Sequence, residues 1–264
     1  MYTKIEGLNM KRKLVAFDAD GTIIDYNVGG IVVESTRLAI KKLIEAGHVP
    51  AILTGRSYNM TDRLAEDLGI EYMGVLNGAQ IFKNNELIFT KSLGEEISHQ
   101  LIERTKKTNL SMIAFDAELI YYNNISDKWK EFINASINME SNMVPIADGP
   151  YDFASFYTYG DADVLEKAVE GITGIEFHNN RHEITKEGVD KGIALGLLAD
   201  HLGIANEDTI AFGDGINDIP MLKAAGTGVA IKTGNSLAHE AADMVAEEGQ
   251  DAISSFLKEV GLII

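Results

Sequence analysis

Asp18 and Asp20 stand at i and i+2 in Asp18-Ala19-Asp20-Gly21-Thr22, directly after the apolar run Leu14-Val15-Ala16-Phe17. A short run that is apolar at every position reads as a parallel strand buried on both faces. The carboxyl ends of such strands carry the chemistry in open α/β sheets. An extended backbone points both carboxylates to one side, and Gly21 lets the chain turn close to a ligand. Two acids aimed into one pocket repel unless a cation or a shared proton compensates. The pair therefore predicts a metal site, a nucleophile beside a proton donor, or both. A D-x-D-G stretch also makes a good turn. It is not a calcium loop of the EF-hand kind, because the twelfth position from Asp18 is Gly29 rather than Glu.

Three further loops offer complementary groups. Thr54-Gly55-Arg56 follows the apolar run Val49–Leu53, and a hydroxyl with the N–H groups of a glycine turn suits phosphate oxygens. Thr54 could equally cap the next helix. Lys191 opens an expected helix, where the macrodipole already places positive charge, so it signifies most if an anion lies opposite. Gly213-Asp214-Gly215-Ile216-Asn217-Asp218 follows the run Thr209–Phe212 and reads as hard-cation ligands with supporting hydrogen bonds.

The elements between these loops alternate. Strand Leu14–Phe17, helix Ser35–Ala46 with Leu38, Leu43 and Ile44 on one face, strand Val49–Leu53, helix Asn59–Leu68 and strand Tyr72–Leu76 form βαβ units. The pattern then shifts to hairpins and helices. Asn84-Asn85 is a turn, Glu95–Lys107 a helix, and Met112–Phe115 pairs with Leu119–Tyr122. A helical patch spans Trp129–Ile137, with a strand at Phe153–Tyr159, a helix at Asp161–Val169 and a last hairpin of Ile175–Phe177 with Glu183-Ile184. From Lys191 the first pattern returns. The expected architecture is a doubly wound α/β core of parallel sheet, residues 1–82 and 187–264, with an α+β module inserted at 83–186.

Composition limits the function classes. With 45% hydrophobic and 24% charged residues the chain is ordinary for a globular protein. A net charge of −17 argues against nucleic-acid partners and requires local cations wherever an anion binds. There are no cysteines, so disulfides and thiolate metal sites are excluded. No apolar stretch has the length of a membrane span, and no signal-peptide pattern precedes Lys13, so a cytoplasmic location is the expectation, with Met1 or Met10 as the start. Oligomeric state has no sequence signal.

Asp18-Ala19-Asp20-Gly21-Thr22, Thr54, Lys191 and Gly213-Asp214 with Asn217-Asp218, taken in that order, resemble the four motifs of the haloacid dehalogenase superfamily of phosphohydrolases. The insert, and Asn77-Gly78-Ala79 at its junction, resemble the large α/β cap of the Cof-type branch. The resemblance implies that Asp18 attacks phosphorus and forms an aspartyl-phosphate, while Asp20 protonates the leaving alkoxide and later takes a proton from water. It implies Mg²⁺ held by Asp18, Asp214 and the main-chain carbonyl of Asp20. Lys191, Thr54, Gly55 and Asn217 would bind phosphate oxygens, and Asp218 would orient Lys191 or a metal-bound water. Dehalogenases lack the second acid and ion-pumping ATPases replace it with threonine, so Asp20 indicates hydrolysis of a phosphomonoester or transfer between sugar hydroxyls. The implied substrate is a small phosphorylated metabolite, sugar phosphates first. Alternatives are a phosphomannomutase-like phosphotransferase, a phosphatase dedicated to mannosyl-phosphoglycerate, FMN or pyridoxal phosphate, and a binding regulator without turnover. Lys232-Thr233 lengthens the loop before Gly234-Asn235-Ser236 by about two residues relative to the family pattern.

Other signals are set aside. His178 and His182 flank Asn179-Asn180 in a hairpin, so helical metal-ligand spacing does not apply. Trp129, Phe132 and Ile133 read as core, and Glu95-Glu96 and Glu247-Glu248 as solvated faces.

Overall fold

The computed structural model describes residues 11–116, 119–127, 143–178, 182–246 and 251–264. The expected helix at Trp129–Ile137, with Trp129, Phe132 and Ile133, lies outside the described residues, as do Met1, Met10 and Glu247-Glu248.

Among the described residues, sixteen strands follow in chain order: β1 Leu14–Phe17, β2 Ile24–Asp25, β3 Ile31–Val32, β4 Val49–Leu53, β5 Tyr72–Val75, β6 Gln80–Lys83, β7 Glu86–Thr90, β8 Ser111–Phe115, β9 Ile120–Asn123, β10 Met143–Pro145, β11 Ser155–Tyr159, β12 Ile175–His178, β13 Glu183–Lys186, β14 Thr209–Gly213, β15 Thr227–Ile231 and β16 Met244–Ala246. The larger sheet runs β16-β15-β14-β1-β4-β5-β6-β7. Its pairs are parallel from β16 through β5, and β6 and β7 add antiparallel strands at one edge.

The continuous apolar strands are explained by cover on both faces. Val15 and Phe17 of β1 join the core with Ala39, Ile40 and Leu43 of the Glu34–Glu45 helix and Ile253, Phe256 and Leu257 of the Ala252–Glu259 helix. Leu14 and Ala16 face the opposite core, with Ala194, Leu195 and Leu198 of the Lys191–Leu202 helix. Alternate residues thus enter different cores, the doubly wound arrangement expected. The buried face of Glu34–Glu45 is not the expected one. Thr36, Ala39, Ile40 and Leu43 are inside, whereas Leu38 and Ile44 are exposed. Small residues at helical spacing permit close packing on the sheet and outweigh the bulk of the isolated aliphatics.

The smaller sheet runs β10-β9-β8-β11-β13-β12 and buries a separate core under the Glu95–Lys106 and Ala162–Val169 helices. The expected boundary at residue 83 is displaced. Asn84 and Asn85, at φ 47° and 68°, make the tight β6–β7 hairpin, and β7 pairs with β6 in the larger sheet. The chain leaves that sheet only after Thr90. A hairpin not anticipated, β2 with β3, rises beside the β1 loop. No helix among the described residues is long and apolar enough to cross a membrane.

Candidate active site

β1 and β14 lie side by side in the sheet, with Phe17 opposite Phe212 and their rings stacked at 5.1 Å. The Asp18 N–H donates to the Phe212 carbonyl at 2.9 Å, so the loops carrying Asp18 and Asp214 leave the sheet together. Asp18 is buried, and so is Lys191 at the first turn of its helix. Lys191 Nζ donates to Asp18 Oδ1 at 2.6 Å and to Asp218 Oδ1 at 2.5 Å. The anion opposite the helix start is therefore the protein's own pair of carboxylates.

Asp218 has both oxygens committed, because Oδ2 accepts from the N–H groups of Asp214 at 3.0 Å and Gly215 at 2.8 Å. It holds Lys191 on one side and the Asp214 loop on the other. A Cβ on Gly213 would lie 2.5 Å from that of Asp218, so this approach requires glycine. Gly21 has φ +82°, and a Cβ there would stand 2.4 Å from Asp214 Oδ2. Thr22 Oγ1 donates to Asp214 Oδ1 at 3.1 Å. Among the described residues, Asp18, Asp214 and Asp218 form an acidic group with oxygens within 4.8 Å of one another. With Asp218 saturated, Asp18 and Asp214 are the carboxylates left for a hard cation, and an all-oxygen donor set suits Mg²⁺.

The Asp20 side chain is absent from that group. Arg56 grips it with a two-point fork, Nε to Oδ2 at 2.8 Å and Nη2 to Oδ1 at 2.5 Å, and Tyr26 O–H also donates to Oδ1. Only the Asp20 main-chain carbonyl remains for the expected metal role. Thr54 Oγ1 accepts from the Arg56 N–H at 3.2 Å and does not cap the next helix, which starts after Ser57. Asn77 is buried at φ 54°, its N–H donating to the Thr54 carbonyl and its side chain lying against Gly55. Asn217 Nδ2 donates to Asn77 Oδ1 at 3.3 Å. Nine of the ten site residues singled out from sequence thus lie in the loops and short turns at one end of the larger sheet, and the tenth, Lys191, reaches them from the first turn of its helix. Arg56 and Tyr26 were missed. Arg56 sat in a recognised loop, and a cation facing two unpaired acids was the available signal.

His178 and His182 go separate ways, Nε2 of His178 to Thr185 Oγ1 at 2.9 Å and Nδ1 of His182 to the Thr158 carbonyl at 3.1 Å. They form no shared site.

Charge sets the protonation states. Burial pushes the Asp18 carboxyl up to about 7; the Lys191 ammonium opposes the rise and the Asp218 charge adds to it. Burial works against the Lys191 charge, but Asp18 and Asp218 outweigh it and raise its pKa. Burial, then Asp218, pushes Asp214 up to about 6, against the Thr22 hydrogen bond. Burial also favours neutral Asp20, yet hydrogen bonds from Arg56 and Tyr26 and the Arg56 charge prevail and hold it below the usual carboxylate range.

The family model described as haloacid dehalogenase-like hydrolase matches residues 15–257. Over 271 residues the chain is 26% identical to the 5-amino-6-(5-phospho-D-ribitylamino)uracil phosphatase YitU of Bacillus subtilis, spanning 96% of this chain and 98% of that protein. A solved structure from Geobacillus kaustophilus HTA426 is similar at TM-score 0.81 and 28% identity, covering 96% of this chain and 100% of the other. The fold also matches the HAD subclass IIB sugar phosphatase BT4131 at TM-score 0.82 and 23% identity, over 95% and 100% of the two chains.

Proposed function

The chain belongs to the haloacid dehalogenase-like hydrolases and is a phosphatase, and from that premise we propose that it hydrolyses a small phosphorylated metabolite through an aspartyl-phosphate on Asp18. The observation that carries this reading is the buried Asp18–Lys191–Asp218 group beside Asp214, at the carboxyl ends of β1 and β14. An Asp18 oxygen bonds to phosphorus as the ester P–O bond breaks, and Asp20 gives its proton to the departing alkoxide. Asp20 then takes a proton from water as that water attacks phosphorus, and the Asp18 carboxylate leaves with inorganic phosphate released. Lys191, Thr54, the Gly55 N–H and Asn217 bind the remaining phosphate oxygens, and Lys191 keeps Asp18 in place. Mg²⁺, when held by Asp18, Asp214 and the Asp20 carbonyl, supplies charge neutralisation for the transferring phosphoryl group.

The Asp20–Arg56 pair adds a requirement. A carboxylate held ionised by a guanidinium cannot donate a proton, so Asp20 must loosen from Arg56 before the leaving group departs. The unit built on the smaller sheet, the expected cap, would close over the loops, exclude water and read the leaving group.

For substrate, sugar phosphates come first. The relative YitU is named for a phosphate on a ribityl chain, a polyol ester of the same chemical kind. The test is turnover of an aryl phosphate with and without Mg²⁺, followed by a panel of phosphorylated sugars, polyols and cofactors. Mg²⁺-dependent turnover lost in Asp18→Asn supports the mechanism; full turnover in Asp18→Asn overturns it.

A further inference from the structure

Glu183 opens β13 in the smaller sheet and is only 1% exposed. Its Oε2 accepts from Asn77 Nδ2 at 2.8 Å and its Oε1 from Ser155 Oγ at 3.3 Å. Asn77 belongs to the loop after β5, in the larger sheet, so this bond crosses from one sheet's unit to the other. Asn77 is pinned on every side. Leu76 and Asn77 both have left-handed φ, 51° and 54°, and their N–H groups donate to the Arg56 and Thr54 carbonyls at 2.8 and 2.9 Å. At the next residue, a Cβ on Gly78 would meet the Asp190 carbonyl at 2.8 Å, so the turn rests on the start of the helix that carries Lys191.

The carboxylate at Glu183 sets a direction for the hydrogen bonds beyond it. An ionised carboxylate only accepts, so Asn77 must turn its amide nitrogen toward Glu183 and its oxygen away. That oxygen meets Asn217 Nδ2 at 3.3 Å. Asn217 must in turn present nitrogen, and the second N–H of that nitrogen remains to donate to an anion. A carboxylate in the smaller unit thereby sets the donor direction of two amides that end beside Asp214 and Asp218.

We propose that Glu183 is a positioning residue of the phosphate site, fixing the polarity of the Asn77–Asn217 relay from the smaller unit without touching substrate. The inference rests on the reading that Asn217 serves a phosphate oxygen. It predicts that a change in the smaller unit shifts phosphate affinity rather than chemistry.

A polarity swap tests it, with KM and kcat for an aryl phosphate, the inhibition constant for inorganic phosphate and the melting temperature as readouts. Glu183→Leu should raise KM and the phosphate inhibition constant about tenfold, with kcat falling less, since one charged hydrogen bond is lost. Glu183→Gln should stay within about twofold of the wild type, because its Oε1 still accepts from Asn77 and its amide nitrogen can donate to Ser155. Asn77→Asp sets two carboxylates in contact and should weaken phosphate binding about tenfold or more. Adding Glu183→Gln to Asn77→Asp lets the introduced amide donate to the introduced carboxylate and should restore the inhibition constant to within about threefold. If Glu183→Leu does not fold, the Asn77→Asp pair of variants decides. An unchanged inhibition constant in Glu183→Leu overturns the inference, and so does a double variant that melts like the wild type yet shows no recovery. Wild-type protein that neither turns over the ester nor binds phosphate overturns the phosphatase mechanism and this inference with it; wild-type turnover with unmoved variants overturns this inference alone.

Discussion

Replacing Lys191 by methionine removes the cation from a fully buried group and leaves its two carboxylates facing each other. Lys191 and Asp218 have no exposed side-chain surface and Asp18 has 5%, so water cannot solvate what the ammonium leaves behind. Breaking a buried ion pair from one side costs about 3–5 kcal/mol. For a domain of this size each kcal/mol moves the melting temperature by roughly 2–4 °C, so the expected loss is roughly 6–20 °C. Methionine keeps the length and flexibility of the side chain, so little of that loss is cavity. The sign with pH is also fixed. Without Lys191 the buried Asp18 carboxyl loses the ammonium that opposes its rise, so its folded-state pKa lies further above the unfolded value and the native state binds more protons than the unfolded chain. Stability then falls as pH rises, and the deficit against wild type should be larger at pH 8 than at pH 5.5. In the Lys191→Met background, Asp18→Asn should raise the melting temperature by removing the repulsion. Differential scanning fluorimetry of the wild type, both single variants and the double variant at the two pH values is sufficient. A deficit below about 2 °C at pH 8, smaller than one kcal/mol, or one equal at both pH values, would refute the charge argument.

Other perturbations probe neighbouring parts of the site. Gly21→Ala places a methyl group 2.4 Å from Asp214 Oδ2 on a left-handed backbone, so Asp214 must move; the Mg²⁺ concentration for half-maximal activity should rise about tenfold or more in a metal titration. Arg56→Met breaks a half-exposed pair and should cost less than about 1 kcal/mol in stability. Its kinetic effect should be selective, speeding alkyl phosphates relative to aryl phosphates, because only the poorer leaving group needs a proton from Asp20 and the guanidinium that holds Asp20 ionised is gone; an equal change for both would show that Arg56 does not act through Asp20. His48 is buried, accepts from the Lys13 N–H on Nδ1 at 3.2 Å, and burial, aided by Lys13, holds its pKa below the usual value. The unfolded chain therefore binds the proton first, and stability should fall as pH drops below about 6.5; urea midpoints of wild type and His48→Gln at pH 7.5 and 5.5 should show a smaller drop in the variant.

The parallel strands were legible because both their faces are buried: Leu14 and Ala16 enter one core, Val15 and Phe17 the other, and no polar residue interrupts the run. The β6–β7 turn was legible because paired asparagines tolerate left-handed φ. The hairpin of β2 and β3 was not, since two-residue strands carry no periodicity. Nor was the true face of Glu34–Glu45, where Thr36 and Ala39 are inside for their small size. In the site, residues that announce themselves by clustering near a strand end were readable one loop at a time. The contacts that tune them were not, because Arg56 reaches Asp20 across 36 positions and Asn77 reaches Glu183 across 106. Glu183 in particular has the sequence context of an ordinary strand residue, and only its burial reveals it.

The net charge of −17 poses the remaining question of how an anion enters this pocket. Local cations are the expectation, but the charge of Lys191 is already balanced by Asp18 and Asp218, and that of Arg56 by Asp20. With Asp214 the fourth carboxylate, these groups when ionised keep an excess of two negative charges before any phosphate arrives. At about 5 Å and an effective dielectric of about 20, one pair of unit charges interacts by about 3 kcal/mol, more than a hundredfold in affinity. A divalent cation held by Asp18 and Asp214 would cancel the excess, and the expected order is cation first and phosphate second. Calorimetric titration with inorganic phosphate should give binding in saturating Mg²⁺ that weakens at least about a hundredfold in chelator, with no rescue by sodium chloride at equal ionic strength. Phosphate binding of equal strength with and without the divalent cation would mean that the carboxylates are neutralised by protons instead, and that Lys191 has charge to spare.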